Sequence, residues 1–172
     1  MPSILFVCTA NKFRSPIAAA CLTQIIEDRQ AAAEWIVASA GTWTKPGIVM
    51  PHPARLVSSY MAHPGLENHT TRQVDQEMLY RFDLIVVMET GHKEALASEF
   101  PLIRKHLYLL AELVDGIRYD IPDPVNPEVS LREVAAELYE LVARGADKIL
   151  QLAQTLYNEK SLGQDHLNAA IF

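Results

Sequence analysis

Short apolar segments alternate with segments of helical periodicity along this chain of 172 residues, and this alternation limits the possible folds more than any other feature. The apolar segments SILFV (3–7), EWIVASAG (34–41), FDLIVVM (82–88) and HLYLL (106–110) are typical of strands. Strands that alternate with helices form parallel βαβ units, with helices on both faces of the sheet. We therefore predict an α/β fold, a three-layer sandwich around a four-stranded parallel sheet.

Helix start signals and proline positions divide the rest of the chain. Ser15 followed by Pro16 predicts an N-cap with proline at the first helical position. Residues 114–129 hold several prolines and are predicted to be largely loop. The other predicted helices cover 53–62, 74–80, about 91–99 and 131–156, the last after a capping box of Ser130 and Glu133. We expect one domain over 1–157 and a polar C-terminal extension over 158–172.

Composition and charge limit the classes of partner and of compartment. A net charge of −6 argues against broad attraction to nucleic acid or to an anionic membrane. The sequence contains neither the long apolar run of a membrane span nor the pattern of a signal peptide. Two cysteines and scattered histidines favour a reducing cytoplasm and predict no disulfide, metal or cofactor. The chain is expected to be a monomer or a weak homodimer.

The segment between the first strand and the first helix has the parts of an anion site. Backbone N–H groups ahead of a helix can converge on one anion, with help from the helix dipole. Arg14 adds a planar fork that matches two phosphate oxygens, and Cys8 places a thiol at the carboxyl end of the strand. Thiols in such positive surroundings ionise readily and become nucleophiles. The spacing of Cys8 and Arg14 is common by chance. The interpretation as an anion site therefore depends on the position of this segment between a strand and a helix.

Several motifs in this order resemble the low-molecular-weight protein tyrosine phosphatases. VCTANKFRSP (7–16) resembles the active-site signature of that family, and SAGT (39–42) its turn after the second strand. HTTRQV (69–74) and FDLIVVM (82–88) resemble its central segment, and IPDP (121–124) resembles its Asp-Pro loop. The resemblance covers about residues 3–156. It implies the strand order 2-1-3-4 and hydrolysis of phosphotyrosine in a protein substrate, without a metal or another cofactor.

The resemblance also implies a role for each matching residue. Cys8 would form a phosphocysteine, Arg14 would bind the transferred phosphoryl group, and Asp123 would protonate the leaving oxygen and then activate water. Asn11 would support the unusual backbone of the loop, and Ser15 the thiolate. The remaining residues expected to bind substrate are Thr9, Ala10, Lys12, Phe13 and Trp43.

This chain departs from the family pattern at three positions. Ala10 stands where glycine is usual, and Phe13 replaces a second cysteine that could trap an oxidised nucleophile. Val125 replaces an aromatic residue after the Asp-Pro, so Trp43 becomes the candidate for the aromatic wall of the pocket. Cys21 lies on the apolar face of the first helix and is expected to pack in the core.

Two alternative functions use the same loop. Arsenate reduction needs further cysteines to pass electrons to a disulfide, and only Cys21 is available for this. A phosphate-binding module without turnover is compatible with Ala10, Phe13 and Val125. Retention of Cys8, Arg14, Ser15 and Asp123 favours hydrolysis instead.

Overall fold

A four-stranded parallel sheet forms the centre of the molecule. The computed structural model describes residues 1–52, 54–55, 66–126 and 128–169, with side chains described as far as 162. The strands are β1 (Ser3–Cys8), β2 (Ile36–Gly41), β3 (Leu84–Val87) and β4 (Leu107–Leu109), and their spatial order is β2-β1-β3-β4. This sheet confirms the predicted fold class and strand order.

Helices follow the strands along the chain and pack on both faces of the sheet. The helices are α1 (Arg14–Asp28), α2 (Gln76–Arg81), α3 (Thr90–Glu99), α4 (Leu110–Asp115) and α5 (Leu131–Ala169), with short 3-10 turns at Ala32–Glu34 and Pro101–His106. Most of the predicted helix 53–62 lies outside the described residues. No helix in the described ranges is long and apolar enough to cross a membrane.

Neighbouring residues of β1 point to opposite faces of the sheet and form two separate cores. Ile4 and Phe6 pack with α1, α4 and α5, whereas Leu5 and Val7 pack with α2, α3 and the second 3-10 turn. All four side chains are fully buried. A strand that is buried on both faces requires a continuous apolar run, and this is the pattern of SILFV.

Two local predictions differ from the structure. Helix α1 begins at Arg14 with Phe13 at the N-cap, not at Ser15, because the Ser15 hydroxyl contacts Cys8 and Asn11. Helix α4 occupies residues that were predicted to be the end of a strand and the start of a loop. It ends at Gly116, whose φ of +76° lies in the left-handed region that favours glycine.

The predicted boundary at residue 157 falls inside helix α5, which continues to Ala169. Beyond that boundary, Lys160 Nζ donates to the carbonyl oxygens of Tyr80 at 3.0 Å and Arg81 at 2.9 Å, at the end of α2. It also lies 3.4 Å from the buried Asp83 carboxylate. The first turn of the predicted extension therefore packs against the sheet domain, and the boundary itself stays a prediction.

A close approach of α4 and α5 depends on Gly145. A Cβ at this position would lie 2.3 Å from Val114 Cγ2, well inside van der Waals contact. We expect Gly145→Ala to lower the free energy of unfolding by about 1–3 kcal/mol through overpacking, measured by urea denaturation.

Gly91 in α3 is the matched control, because no atom lies within 4 Å of the corresponding Cβ. Gly91→Ala should leave stability unchanged or raise it by up to about 1 kcal/mol. Adding Val114→Ala should restore part of the stability lost in Gly145→Ala. Equal stability of the two alanine variants would contradict the packing argument.

Candidate active site

The thiol of Cys8 lies at the carboxyl end of β1, where ligands bind in open parallel sheets. The Cys8 residue is only 2% exposed, and its Sγ lies 3.0 Å from Ser15 Oγ. The Ser15 hydroxyl also contacts Ala40 O at 3.2 Å and accepts from Asn11 Nδ2 at 3.0 Å. The Ser15 hydroxyl therefore connects the sulfur to Asn11 and to the backbone at the end of β2.

Asn11 holds the loop between Cys8 and Arg14 in its shape. Its φ of +52° lies in the left-handed region, which asparagine tolerates better than most residues, and the residue is fully buried. Its amide nitrogen donates to Ser15 Oγ and to Ser39 Oγ, and its Oδ1 accepts from the backbone N–H of Arg72 at 2.8 Å. This backbone donor fixes which end of the amide is oxygen.

His69 supports the same residue from the other side. Its Nε2 donates to the carbonyl oxygen of Asn11 at 2.7 Å, which requires the proton on that nitrogen. The His69 side chain and the Arg72 backbone thus take part in the site as supports of the loop.

Gly41 allows the end of β2 to pass directly behind the loop. A Cβ at Gly41 would lie 2.6 Å from the Thr9 carbonyl oxygen and 3.0 Å from the Asn11 nitrogen. The next two residues continue the pairing, with Thr42 N–H donating to Cys8 O and Trp43 N–H to Thr9 O, both at 2.9 Å. Glycine is therefore required at position 41 of the SAGT motif, because any side chain there would clash with the loop.

Arg14 contributes a buried charged side chain to the site. The residue is 2% exposed, and its guanidinium makes four hydrogen bonds. Nη1 donates to the Glu89 carboxylate and to Ile121 O at 2.9 Å. Nη2 donates to Thr9 Oγ1 at 3.2 Å and to Asp123 Oδ2 at 2.5 Å. The structure thus brings Asp123 of the IPDP motif to Arg14 of the VCTANKFRSP motif, which also contains Cys8.

Glu89 and His92 belong to this cluster and were missed by the sequence analysis. Glu89 follows β3 and reaches Arg14 from the strand next to β1. His92 Nε2 lies 3.0 Å from Thr9 Oγ1, while its buried Nδ1 has no partner among the described residues. A carboxylate just after a buried strand, at the same sheet edge as Cys8, was the signal that could have identified Glu89.

The other residues predicted to bind substrate differ in their exposure. Thr9, Ala10 and Lys12 are partly exposed along the loop, whereas the Phe13 side chain is buried in the core, so only its backbone remains available to a ligand. The Trp43 side chain is 83% exposed beside the loop, and Val125 after the Asp-Pro is also exposed. Trp43 is thus not a packing residue of the core.

Cys21 is a buried core residue, as predicted. Burial raises the pKa of its thiol to about 12, so the thiol stays protonated at neutral pH. Both cysteines are free. Within the described part of the chain, no three His, Cys, Asp or Glu side chains are grouped so that they could hold a metal ion.

Burial lowers the pKa of both His69 and His92. For His92 this effect of burial exceeds the opposite effect of the Glu89 carboxylate. The unfolded chain therefore takes up protons near the ordinary histidine pKa of about 6.5, before the folded protein does. We expect the free energy of unfolding to fall as the pH drops from about 7.5 to 5.5, measured by urea denaturation.

His69→Gln should flatten this pH dependence, whereas the same change at the exposed His52 should leave it unaltered. An equal effect of the two substitutions would contradict the assignment to buried histidines.

Comparison with known proteins connects this geometry to one family. The model of the low molecular weight phosphotyrosine protein phosphatase family matches residues 3–162. A protein-arginine-phosphatase of Bacillus subtilis (strain 168) is 32% identical over 148 residues, which cover 85% of this chain and 95% of that protein. The low molecular weight protein-tyrosine-phosphatase Wzb of Salmonella typhi is 31% identical over 157 residues, 91% of this chain and 95% of that protein.

A solved structure has the same fold. It is a cysteine-to-serine mutant of the YwlE arginine phosphatase with a phosphorylated active-site serine, and it superimposes with a TM-score of 0.77 at 29% identity. The match covers 85% of this chain and 94% of that one. With the family model matching nearly the whole chain, this protein belongs to the low molecular weight phosphotyrosine protein phosphatase family of cysteine-dependent phosphatases.

Proposed function

We propose that this protein hydrolyses phosphotyrosine in a protein substrate, with Cys8 as nucleophile, Arg14 as phosphoryl-binding residue and Asp123 as general acid and base. A phosphocysteine intermediate is general for the family. The observation that carries the assignment is the cluster itself. A buried thiol, a buried guanidinium and a partly exposed carboxylate meet at the carboxyl edge of the sheet.

The Ser15 hydroxyl can follow the ionisation of Cys8. When the sulfur is a thiol, it can donate to Ser15 Oγ while the hydroxyl donates to Ala40 O. When the sulfur is a thiolate, the single hydroxyl proton can turn to it, because a thiolate is the stronger acceptor. Asn11 Nδ2 donates to Ser15 Oγ in both cases and keeps the oxygen in place.

The proton balance of the two steps passes through Asp123. In the first step the S–P bond forms, the P–O bond to the leaving group breaks, and Asp123 gives its proton to the leaving oxygen. In the second step the Asp123 carboxylate takes a proton from water while that water attacks phosphorus and the S–P bond breaks. The products are the free hydroxyl compound and inorganic phosphate, and Asp123 is again protonated.

Two features beside the loop favour phosphotyrosine over phosphoarginine as the substrate. Trp43 is exposed, and its backbone N–H is bonded to Thr9 O, so the indole is attached next to the loop. Lys12 adds a positive charge within the loop, which is unfavourable for the guanidinium group of a phosphoarginine substrate. The substrate class of the Bacillus subtilis relative is thus the competing hypothesis for this site.

The proposal includes a phosphoprotein partner, no nucleic-acid or membrane partner, a monomer or weak homodimer, and a cytoplasmic location. The net charge of −6 supports the absence of a nucleic-acid partner. Two free thiols suit a reducing compartment.

Hydrolysis of p-nitrophenyl phosphate without added metal should depend on Cys8 and Asp123. Cys8→Ser should lower kcat by more than about a thousandfold, because the nucleophile is lost. Asp123→Ala should lower it by about 10²–10⁴-fold and remove the alkaline limb of a bell-shaped pH–rate profile.

Cys21→Ser is the matched control and should retain wild-type kcat. Wild-type turnover in the Cys8→Ser variant would overturn the assignment of the nucleophile. Tight binding of vanadate without hydrolysis would favour the phosphate-binding module instead.

The substrate class can be tested with peptides of one sequence that carry either phosphotyrosine or phosphoarginine. We expect a higher kcat/KM for phosphotyrosine, and we expect Trp43→Ala to raise KM for that peptide with little change in stability, since the side chain is exposed. Lys12→Met removes the positive charge and should reduce the ratio of kcat/KM for the phosphotyrosine peptide to kcat/KM for the phosphoarginine peptide. A higher kcat/KM for phosphoarginine would overturn the tyrosine assignment and leave the cysteine chemistry intact.

A further inference from the structure

The guanidinium of Arg14 has few donors left for a phosphoryl group. Arginine has five N–H donors, and the hydrogen bonds of the described residues occupy both donors of Nη1 and both of Nη2. The remaining donor is Nε–H, which has no acceptor in the described ranges. A phosphate is normally bound by two parallel N–H bonds from one edge of the guanidinium.

Both edges that can make such a double contact include Nη2. One edge pairs Nε with Nη2, and the other pairs Nη1 with Nη2. Nη1 is engaged by Glu89 and Ile121 O, and the Ile121 backbone is itself anchored, since its N–H donates to Met88 O at 2.9 Å. A phosphoryl group held by two bonds must therefore compete for Nη2 with Thr9 Oγ1 or Asp123 Oδ2.

We propose that the phosphoryl group and the Asp123 carboxylate exchange at Arg14 Nη2, so that substrate binding releases the general acid from an ion pair. This inference rests on the proposed function, because it takes the loop to be the phosphate site. While Asp123 Oδ2 accepts from Arg14 Nη2, that oxygen is engaged in the ion pair and is not free to contact the leaving group. After the exchange it takes up one proton from solvent next to the negative phosphoryl group.

Asp123 is the partner that gives way, for reasons of charge and of anchoring. Its side chain is 37% exposed, and among the described residues its other oxygen accepts only from Val125 N–H in the same loop, at 3.1 Å. Thr9 lies in the loop that follows β1, and its Oγ1 is also bonded to His92. A second negative charge beside the phosphoryl group would be repelled, whereas the neutral hydroxyl of Thr9 would not.

Glu89 provides a matched comparison at the same guanidinium. Glu89 and Asp123 each contribute one carboxylate to Arg14, but only Asp123 occupies Nη2. Charge alone predicts that Asp123→Asn and Glu89→Gln tighten anion binding by similar factors. Exchange at Nη2 predicts that Asp123→Asn tightens anion binding much more than Glu89→Gln does. The reason is that only Asp123 competes with the anion for Nη2.

The experiment measures binding of sulfate, a dianion that does not titrate near neutral pH, to the full chain by isothermal titration calorimetry. We expect Asp123→Asn to lower Kd about tenfold, because the neutral amide is a weaker competitor, and Glu89→Gln to change it by less than about threefold. Titrations in two buffers of different ionisation enthalpy should show that Asp123→Asn takes up about one proton fewer than the wild type when sulfate binds, since uptake at the Cys8 sulfur is common to both proteins.

Similar changes in Kd for the two variants, or equal proton uptake by Asp123→Asn and the wild type, would overturn the exchange. The two hypotheses fail in different ways. An enzyme that hydrolyses p-nitrophenyl phosphate but shows equal Kd shifts overturns the exchange alone. A protein that neither binds sulfate nor hydrolyses the ester overturns the proposed function as well. Thermal midpoints well above the temperature of the titration, for both variants and the wild type, ensure that each Kd refers to folded protein.

Discussion

The buried guanidinium of Arg14 is the group around which the site is organised. A buried charge is costly unless opposite charges and hydrogen bonds surround it. Arg14 meets this demand with Glu89 after β3, Asp123 and Ile121 from the loop before α5, and Thr9 from the loop after β1. Segments far apart in sequence must therefore converge on one point for the charge to be tolerated.

A second set of contacts holds the shape of the loop independently of that charge. Asn11 in its left-handed conformation is bonded by His69 and by the backbone of Arg72, and Gly41 lets the end of β2 approach without a steric clash. The sulfur of Cys8 and the guanidinium of Arg14 are thus positioned by different neighbours. Because of this division, the proposed exchange of the Asp123 contact at Arg14 leaves the shape of the loop that carries Cys8 unchanged.

The features that could be predicted from sequence were those that depend on the pattern of neighbouring residues. Strands that are buried on both faces need continuous apolar runs, so the four strands were visible in sequence. Cys8, Arg14 and Asp123 were found because they lie in short motifs next to a strand or a proline. Glu89 follows a buried strand at the same sheet edge as Cys8, and that signal was not used, whereas nothing in the local sequence distinguishes His92 from the charged surface of a helix. The helix start was wrongly assigned to Ser15, because serine before proline is the usual N-cap pattern, whereas its hydroxyl contacts the Cys8 sulfur, the contact that the family resemblance had implied.

The sequence by itself determined the class of fold, the position of Cys8 at the end of a strand and the family, because periodicity and short motifs are properties of neighbouring residues. Tertiary structure alone decided which carboxylates pair with Arg14, why Gly41 has no side chain, and that helix α5 continues past residue 157 to bring Lys160 to the end of α2. The physical reason is the range of the interactions. Burial patterns act along a strand or a helix turn, whereas compensation of a buried charge depends on groups that meet only after the sheet has assembled.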